Sequence, residues 1–190
     1  IDLVVRPDAP HTTLAINESY VGSPDAGVFQ FDNVVWISPN DGASWGALGA
    51  PLDSFVRMDT IEVAGASRIY VSARRTQGQT VSGVMFVSDD SGAHWTERAI
   101  PLVAQEGSAY IAAVDPASID RVYVRTLGKT GTGPSRLLVS NDGAVSFQEA
   151  FTLPNPILGF ALSADGGTIF LGNLDGVYKG TRSSTQFAKV

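Results

Sequence analysis

No cysteine occurs in the chain, so disulfides and thiolate metal sites are excluded, and the redox compartment is left open. No apolar run approaches the roughly 20 residues of a membrane span. Charged residues make up only 17% of the 190, and acids outnumber bases, leaving a net charge of −6. A nucleic-acid binder is expected to carry a basic stripe, and an anionic membrane surface attracts basic patches; neither is present. The acidity reads as a solubility feature. No stretch repeats its apolar residues with a period of 3.6; the spacing is 2 or continuous, so no helix of any length is expected. The first residue is Ile1, with no Met and no signal peptide, as expected of a processed chain or part of a longer one.

What remains is apolar and turn-rich. The apolar fraction is 44%, with 20 Gly and 10 Pro, which suits an all-β domain with a real core. One octapeptide organises it: Ser88-Asp89-Asp90-Ser91-Gly92-Ala93-His94-Trp95. It follows the apolar run Val84 to Val87. The pattern stands earlier as Ser38-Pro39-Asn40-Asp41-Gly42-Ala43-Ser44-Trp45, and later as Ser140-Asn141-Asp142-Gly143-Ala144-Val145-Ser146-Phe147. Trp45 and Trp95 are 50 residues apart, and Trp95 and Phe147 are 52 apart. A period of that length signals stacked structural repeats.

Each copy reads as a β-hairpin turn. Asp or Asn accepts hydrogen bonds from nearby backbone N–H groups, and Gly tolerates positive φ. The closing aromatic starts the returning strand and covers the turn. Asn40, Asp90 and Asp142 are thus structural acceptors, and Trp45 and Trp95 are expected to be largely buried. A calcium loop would need oxygens at alternate positions and usually a distal Glu; only the second copy offers part of this, so no metal is expected.

The octapeptide resembles the Asp-box, or BNR repeat, of sialidases, xyloglucan-active endoglucanases, sortilin-type receptors and photosystem assembly factors. The residues that carry it are Ser38, Asn40, Gly42, Trp45, Ser88, Asp90, Gly92, Trp95, Ser140, Asp142 and Phe147. In the third copy Gly stands one place early, and Phe replaces Trp. Gly180 to Phe187 keeps only the final aromatic and small polar residues. The resemblance implies a β-propeller of four-stranded antiparallel blades, each hairpin joining the two outer strands. Four blades fill the chain, at roughly 1–50, 51–102, 103–153 and 154–190. Propellers close with about 4 to 8 blades, and the resemblance implies more than four. The expected states are a part of a larger propeller, a closed ring, or a pairing with another copy. An open fan would expose apolar blade faces and strand edges, so self-association or further blades outside this chain are expected.

With strands ordered A to D from the axis, the A–B turns and octapeptides share one face. The B–C loops and D–A links share the other, where the resemblance also places the active face. The long polar stretches are B–C loops: Tyr20 to Asn33, Arg74 to Ser82, and Leu127 to Ser135. Loops carry function more often than the scaffold beneath them. Candidate ligand-binding residues are Tyr20, Asp25, Phe29 and Asp32 in the first, Arg74, Arg75 and Gln77 in the second, and Lys129 in the third. Arg57 and Glu106 come from the D–A links. Aromatic, carboxylate and guanidinium groups together suit a sugar; the plain alternative is ordinary solvated loop residues.

No catalytic residue is assigned. Sialidases need three arginines and an Arg-Ile-Pro start, which is missing. Xyloglucan-type hydrolysis needs two carboxylates roughly 5 to 10 Å apart. Asp32, Asp53, Asp59 and Glu106 are available, but nothing in the sequence pairs them. His11 and His94 have no partner at zinc spacing and form no Ser-His-Asp set. Gly128 to Gly133 lacks the strand-to-helix setting of a phosphate loop. The expectation is a non-catalytic binding or scaffold module for a glycan or protein, without a cofactor. The alternative is a glycoside hydrolase, or a fragment of one, using loop carboxylates. An extracellular or cell-envelope location goes with the resemblance.

Overall fold

A computed structural model describes residues 1–21, 30–183 and 186–190. Among these there are sixteen strands and no helix. They form four antiparallel sheets, each a meander in chain order. The first sheet holds β1 (Asp2–Arg6), β2 (Ala9–Ile16), β3 (Val35–Ser38) and β4 (Gly46–Ala47). The second holds β5 (Val56–Ala64), β6 (Arg68–Gln77), β7 (Thr80–Ser88) and β8 (Thr96–Ile100). The third holds β9 (Glu106–Asp115), β10 (Ser118–Gly128), β11 (Ser135–Ser140) and β12 (Gln148–Leu153). The fourth holds β13 (Gly159–Leu162), β14 (Thr168–Asn173), β15 (Gly176–Thr181) and β16 (Ala188–Lys189). These sheets are propeller blades.

Successive residues of a strand point to opposite faces, so each middle blade serves two cores. Val71 and Phe86 pack on Leu14, Ile16 and Val35 of blade one. Tyr70, Met85 and Val87, from the same strands, pack on Ile111, Val124 and Leu138 of blade three. Tyr123, Leu137 and Val139 then meet Ile169 and Leu171 of blade four. The inner strands are linked by the same device twice. Ile61 N–H donates to Asp2 at 3.0 Å, and Ile111 N–H donates to the Thr60 hydroxyl at 2.8 Å.

The octapeptides share one hydrogen-bond scheme. The Ser hydroxyl accepts from the fifth residue's N–H: Gly42 at 2.8 Å, Gly92 at 2.8 Å and Ala144 at 2.7 Å. The Asn or Asp oxygen accepts from the seventh: Ser44, His94 and Ser146, each at 2.9 Å. The fourth and fifth residues both have positive φ: 56° and 83°, 59° and 91°, 71° and 75°. This accounts for the displaced glycine of the third copy. Two adjacent positions want the left-handed conformation, and Gly eases either one. Each turn also bonds its own A–B turn or the first residues of the B strand that follows it. The N–H groups of Asp41, Ser91 and Gly143 donate to His11, Ser67 and Asp120 carbonyls, and Arg182 N–H repeats this with Gly167. Both sets of turns therefore lie on one face.

Three expectations are corrected. Trp45 is 43% exposed, whereas Trp95 packs partly against the core. The eighth-place aromatic packs toward the preceding blade: Trp95 into the first joint, Phe147 into the second and Phe187 into the third. Among the described residues no blade packs on that side of Trp45. Second, Arg74 to Ser82 is not a loop. Strand pairing runs out to Gln77 and Thr80, closing in a tight turn with Gly78 at φ +60°. Third, Arg57 lies within β5 and Glu106 opens β9, so neither sits on a link.

Candidate functional site

On the face away from the octapeptides, two clefts meet at Arg74 and Thr76, near the end of β6. One, of about 240 Å³, is lined by Phe31, Phe55, Arg57, Arg74 and Thr76. The other, of about 400 Å³, lies between blades two and three. Its lining includes Arg74, Thr76, Val81, Gly107, Ser108, Tyr110 and Lys129. Strand pairing past the apolar core carries Arg74 to this rim: it pairs with Arg57 on β5 and Gly83 on β7.

The cations here are anchored. Arg57 meets Glu18 at 2.6 Å, and Arg74 meets Asp59 at 2.8 Å. Arg125 stacks on the Tyr110 ring, 4.9 Å from its centre, and donates to the Ile157 carbonyl at 2.8 Å. Burial lowers the Arg125 pKa. The Lys129 ammonium donates to the Gln79 carbonyl at 3.1 Å and ties the second blade's tight turn to the third blade's loop. Asp59 sits where the β5–β6 register slips between Met58 and Thr60. Bulges of this kind re-aim a side chain. Its side chain is 5% exposed, and the second carboxylate oxygen has no hydrogen-bond partner. Burial pushes the Asp59 pKa up to about 6, against the opposing pull of Arg74 and Arg57.

The structure thus brings Arg57, Arg74 and Lys129 together. Tyr20 stands edge-on to Phe31, with ring centres 5.9 Å apart, beside the smaller cleft. Asp32 is exposed next to Phe31. Gln77 is exposed at the hairpin tip. Asp25 and Phe29 lie outside the described residues. Arg75 faces elsewhere: it binds Asp53 at 2.6 Å and Glu97 at 2.8 Å, and those bonds raise its pKa. Glu106 is buried. It takes hydrogen bonds from Arg136 (2.6 and 2.8 Å), Thr126 (2.5 Å) and Val103 N–H (2.9 Å). Burial would raise its pKa, but these donors outweigh it and hold the carboxyl below its ordinary value. Its role is to fasten β9 to β10 and β11.

Sequence reasoning missed Phe31, Phe55, Ser108 and Tyr110. Phe55 had a readable signal, an aromatic in a polar link just before a strand. Tyr110 had none, because it alternates within an otherwise apolar strand. Of the four candidate carboxylates, Asp53, Asp59 and Glu106 each have an arginine partner. The histidines sit at the opposite face: His11 against Asp41 at 2.9 Å and His94 against Asp90 at 2.6 Å. The glycines from Gly128 to Gly133 join β10 to β11, and no helix follows.

No family model and no curated protein matches the chain. Solved structures do. A protein of unknown function from Dyadobacter fermentans aligns over 100% of this chain and 63% of its own, at 13% identity and TM-score 0.64. A Hadza microbial sialidase aligns over 98% and 43%, at 12% identity and TM-score 0.63. The GH74 xyloglucanase from Xanthomonas campestris aligns over 95% and 28%, at 15% identity and TM-score 0.61. The chain therefore spans less than two thirds of each of these structures. At such identities the likeness concerns the fold alone, and that fold is the β-propeller, represented here by four blades.

Proposed function

We propose that the chain is a non-catalytic binding or scaffold module of Asp-box propeller type. It takes a glycan or protein ligand in the double cleft opposite the octapeptides. The observation that carries this reading is the meeting of Arg57, Arg74 and Lys129 with Phe31, Phe55 and Tyr110 across two adjoining clefts. Flat apolar rings next to fixed guanidinium groups suit sugar faces and carboxylates alike. Self-association or further blades outside this chain belong to the same reading, as does an extracellular or cell-envelope location.

Asp59 favours a second reading, a glycoside hydrolase. A buried carboxyl titrating near neutrality has the property of a general acid. Its oxygen is bonded to Arg74, however, and Arg57 lies near it as well.

A glycan array and a peptide array, followed by calorimetry, test the first reading. Phe55→Ala and Lys129→Ala should each weaken a captured ligand about tenfold, a loss of roughly 1.4 kcal/mol, with melting unchanged. Phe55 is 53% exposed, so its loss spares the core. A panel of aryl glycosides and polysaccharides tests the second. Turnover abolished by Asp59→Asn would overturn the non-catalytic reading.

A further inference from the structure

The larger cleft, between blades two and three, holds polar groups that the protein itself leaves unused. Ser108 is 4% exposed and lines the cleft, yet its hydroxyl meets no hydrogen-bond partner among the described residues. The large majority of buried hydroxyls in folded proteins are paired, so one left open to a cleft points to a partner from outside the chain. The hydroxyls of Thr76 and Tyr110 line the same space and are likewise unpartnered among the described residues. Ser108 pairs with Leu127 and Tyr110 with Arg125, so regular strand holds both in place. Arg125, stacked on the Tyr110 ring, fixes that ring further.

The charge of the lining is one-sided. Among the described residues it includes Arg74 and Lys129 and no carboxylate, in a chain of net charge −6. Arg74 is balanced by Asp59, at 2.8 Å. Lys129 has no acidic partner among the described residues; its ammonium meets the Gln79 carbonyl at 3.1 Å. The Lys129 backbone is fixed as well. Its N–H donates to the Gln105 carbonyl at 3.0 Å, and a Cβ on Gly107 would stand 2.8 Å from the Lys129 Cα. The missing side chain of Gly107 therefore lets the loop after β10 close down beside Ser108.

We infer that this cleft binds the sulfate ester of a sulfated glycan. The one uncompensated ammonium of the lining matches the single negative charge of a sulfate ester, whereas a phosphate monoester carries about 1.5 to 2. Single donors arriving from separate strands suit a tetrahedral oxyanion. A planar carboxylate is gripped by a free guanidinium fork. Here Arg74 is committed to Asp59, and Arg57 to Glu18 through both Nε and Nη2. The adjoining cleft, with Phe31 and Phe55, offers apolar rings to the sugar beside the sulfate. The acidity of the chain as a whole repels polyanions, so a sulfated glycan is held by this site and not by general attraction. The inference rests on reading the double cleft as a ligand site and names the chemistry of the ligand.

Calorimetry with chondroitin sulfate, heparin and κ-carrageenan oligosaccharides, each beside its chemically desulfated form, tests this. At least one pair should bind, with affinity falling about tenfold or more on desulfation although the carboxylates of chondroitin and heparin remain. Lys129→Ala should erase that preference, so that sulfated and desulfated forms bind alike. Ser108→Ala should weaken only the sulfated form, about tenfold, with thermal unfolding unchanged. Sodium sulfate should compete where sodium chloride of equal ionic strength does not. No binding across the panel overturns the inference, as do affinities that desulfation leaves unchanged and a preference for sulfate that survives Lys129→Ala. Tighter capture of phosphoserine peptides than of any sulfated glycan overturns it too. Capture of an unsulfated glycan or a peptide that Phe55→Ala weakens would overturn the sulfate site and keep the binding module.

Discussion

Trp45 and Trp95 hold the same place in the same motif, with the same turn geometry before them. Trp95 packs into the joint between blades one and two, while Trp45 is 43% exposed. The motif shapes the hairpin that presents the ring. The ring is buried only by the blade before it. Phe170 of blade four, 37% exposed, likewise stands at the strand position of the buried Tyr70 and Tyr123. In a repeat protein each unit contacts its neighbours only, so a hairpin is set within its own blade and a joint by two blades together.

The tryptophan pair offers the largest test. Trp95→Ala should cost about 3 to 5 kcal/mol, as expected for a large ring removed from packed surroundings. Trp45→Ala, measured by urea unfolding, should cost within about 0.5 kcal/mol, as at ordinary surface sites. Equal costs would show that the ring serves its own hairpin.

The paired glycines sharpen the point. Gly92 and Gly42 both have positive φ, so Ala at either is strained by about 1 kcal/mol. At Gly92 the new methyl would meet the Leu48 side chain at 2.6 Å, across the joint. At Gly42 it would meet only Trp45, at 3.9 Å. Gly92→Ala should therefore lose a further ~1 to 3 kcal/mol from overpacking. Thermal unfolding of the two variants side by side measures the difference.

The smallest effect separates the hairpin-turn carboxylates from those that burial desolvates. Hydrogen bonds from the Ser146 side chain and backbone bring the Asp142 pKa down to about 2, and His94 does the same for Asp90. Their contribution to stability is present above the unfolded value and is lost as pH falls through 2. Asp59 and Glu62 behave oppositely, since burial raises them to about 6 and about 7. Their folded forms hold protons that the unfolded chain has released, so stability falls as pH rises from about 4 through 7. Asp59→Asn should flatten that slope in melting temperature. An unchanged slope would show that Asp59 is not buried as a carboxyl.

By itself the sequence determined the strand hairpins, the 50-residue period, the octapeptide acceptors and the face that the turns share. Those features are local: alternation along a strand, hydrogen bonds over four residues, and positive φ at adjacent positions. Strand ends were less legible. Arg75 pairs with Ser82 and Gln77 with Thr80 through their backbones, which leave no trace in hydropathy. Only the tertiary structure decided that Glu106 is a buried partner of Arg136, thirty residues later, and that Arg74 is at the cleft while Arg75 is not. It alone decided the fate of the aromatics. Ser-x-Asn-x-Gly-x-x-Trp specifies where Trp45 begins its strand, but burial is a property of two surfaces, and the second one belongs to a neighbouring blade.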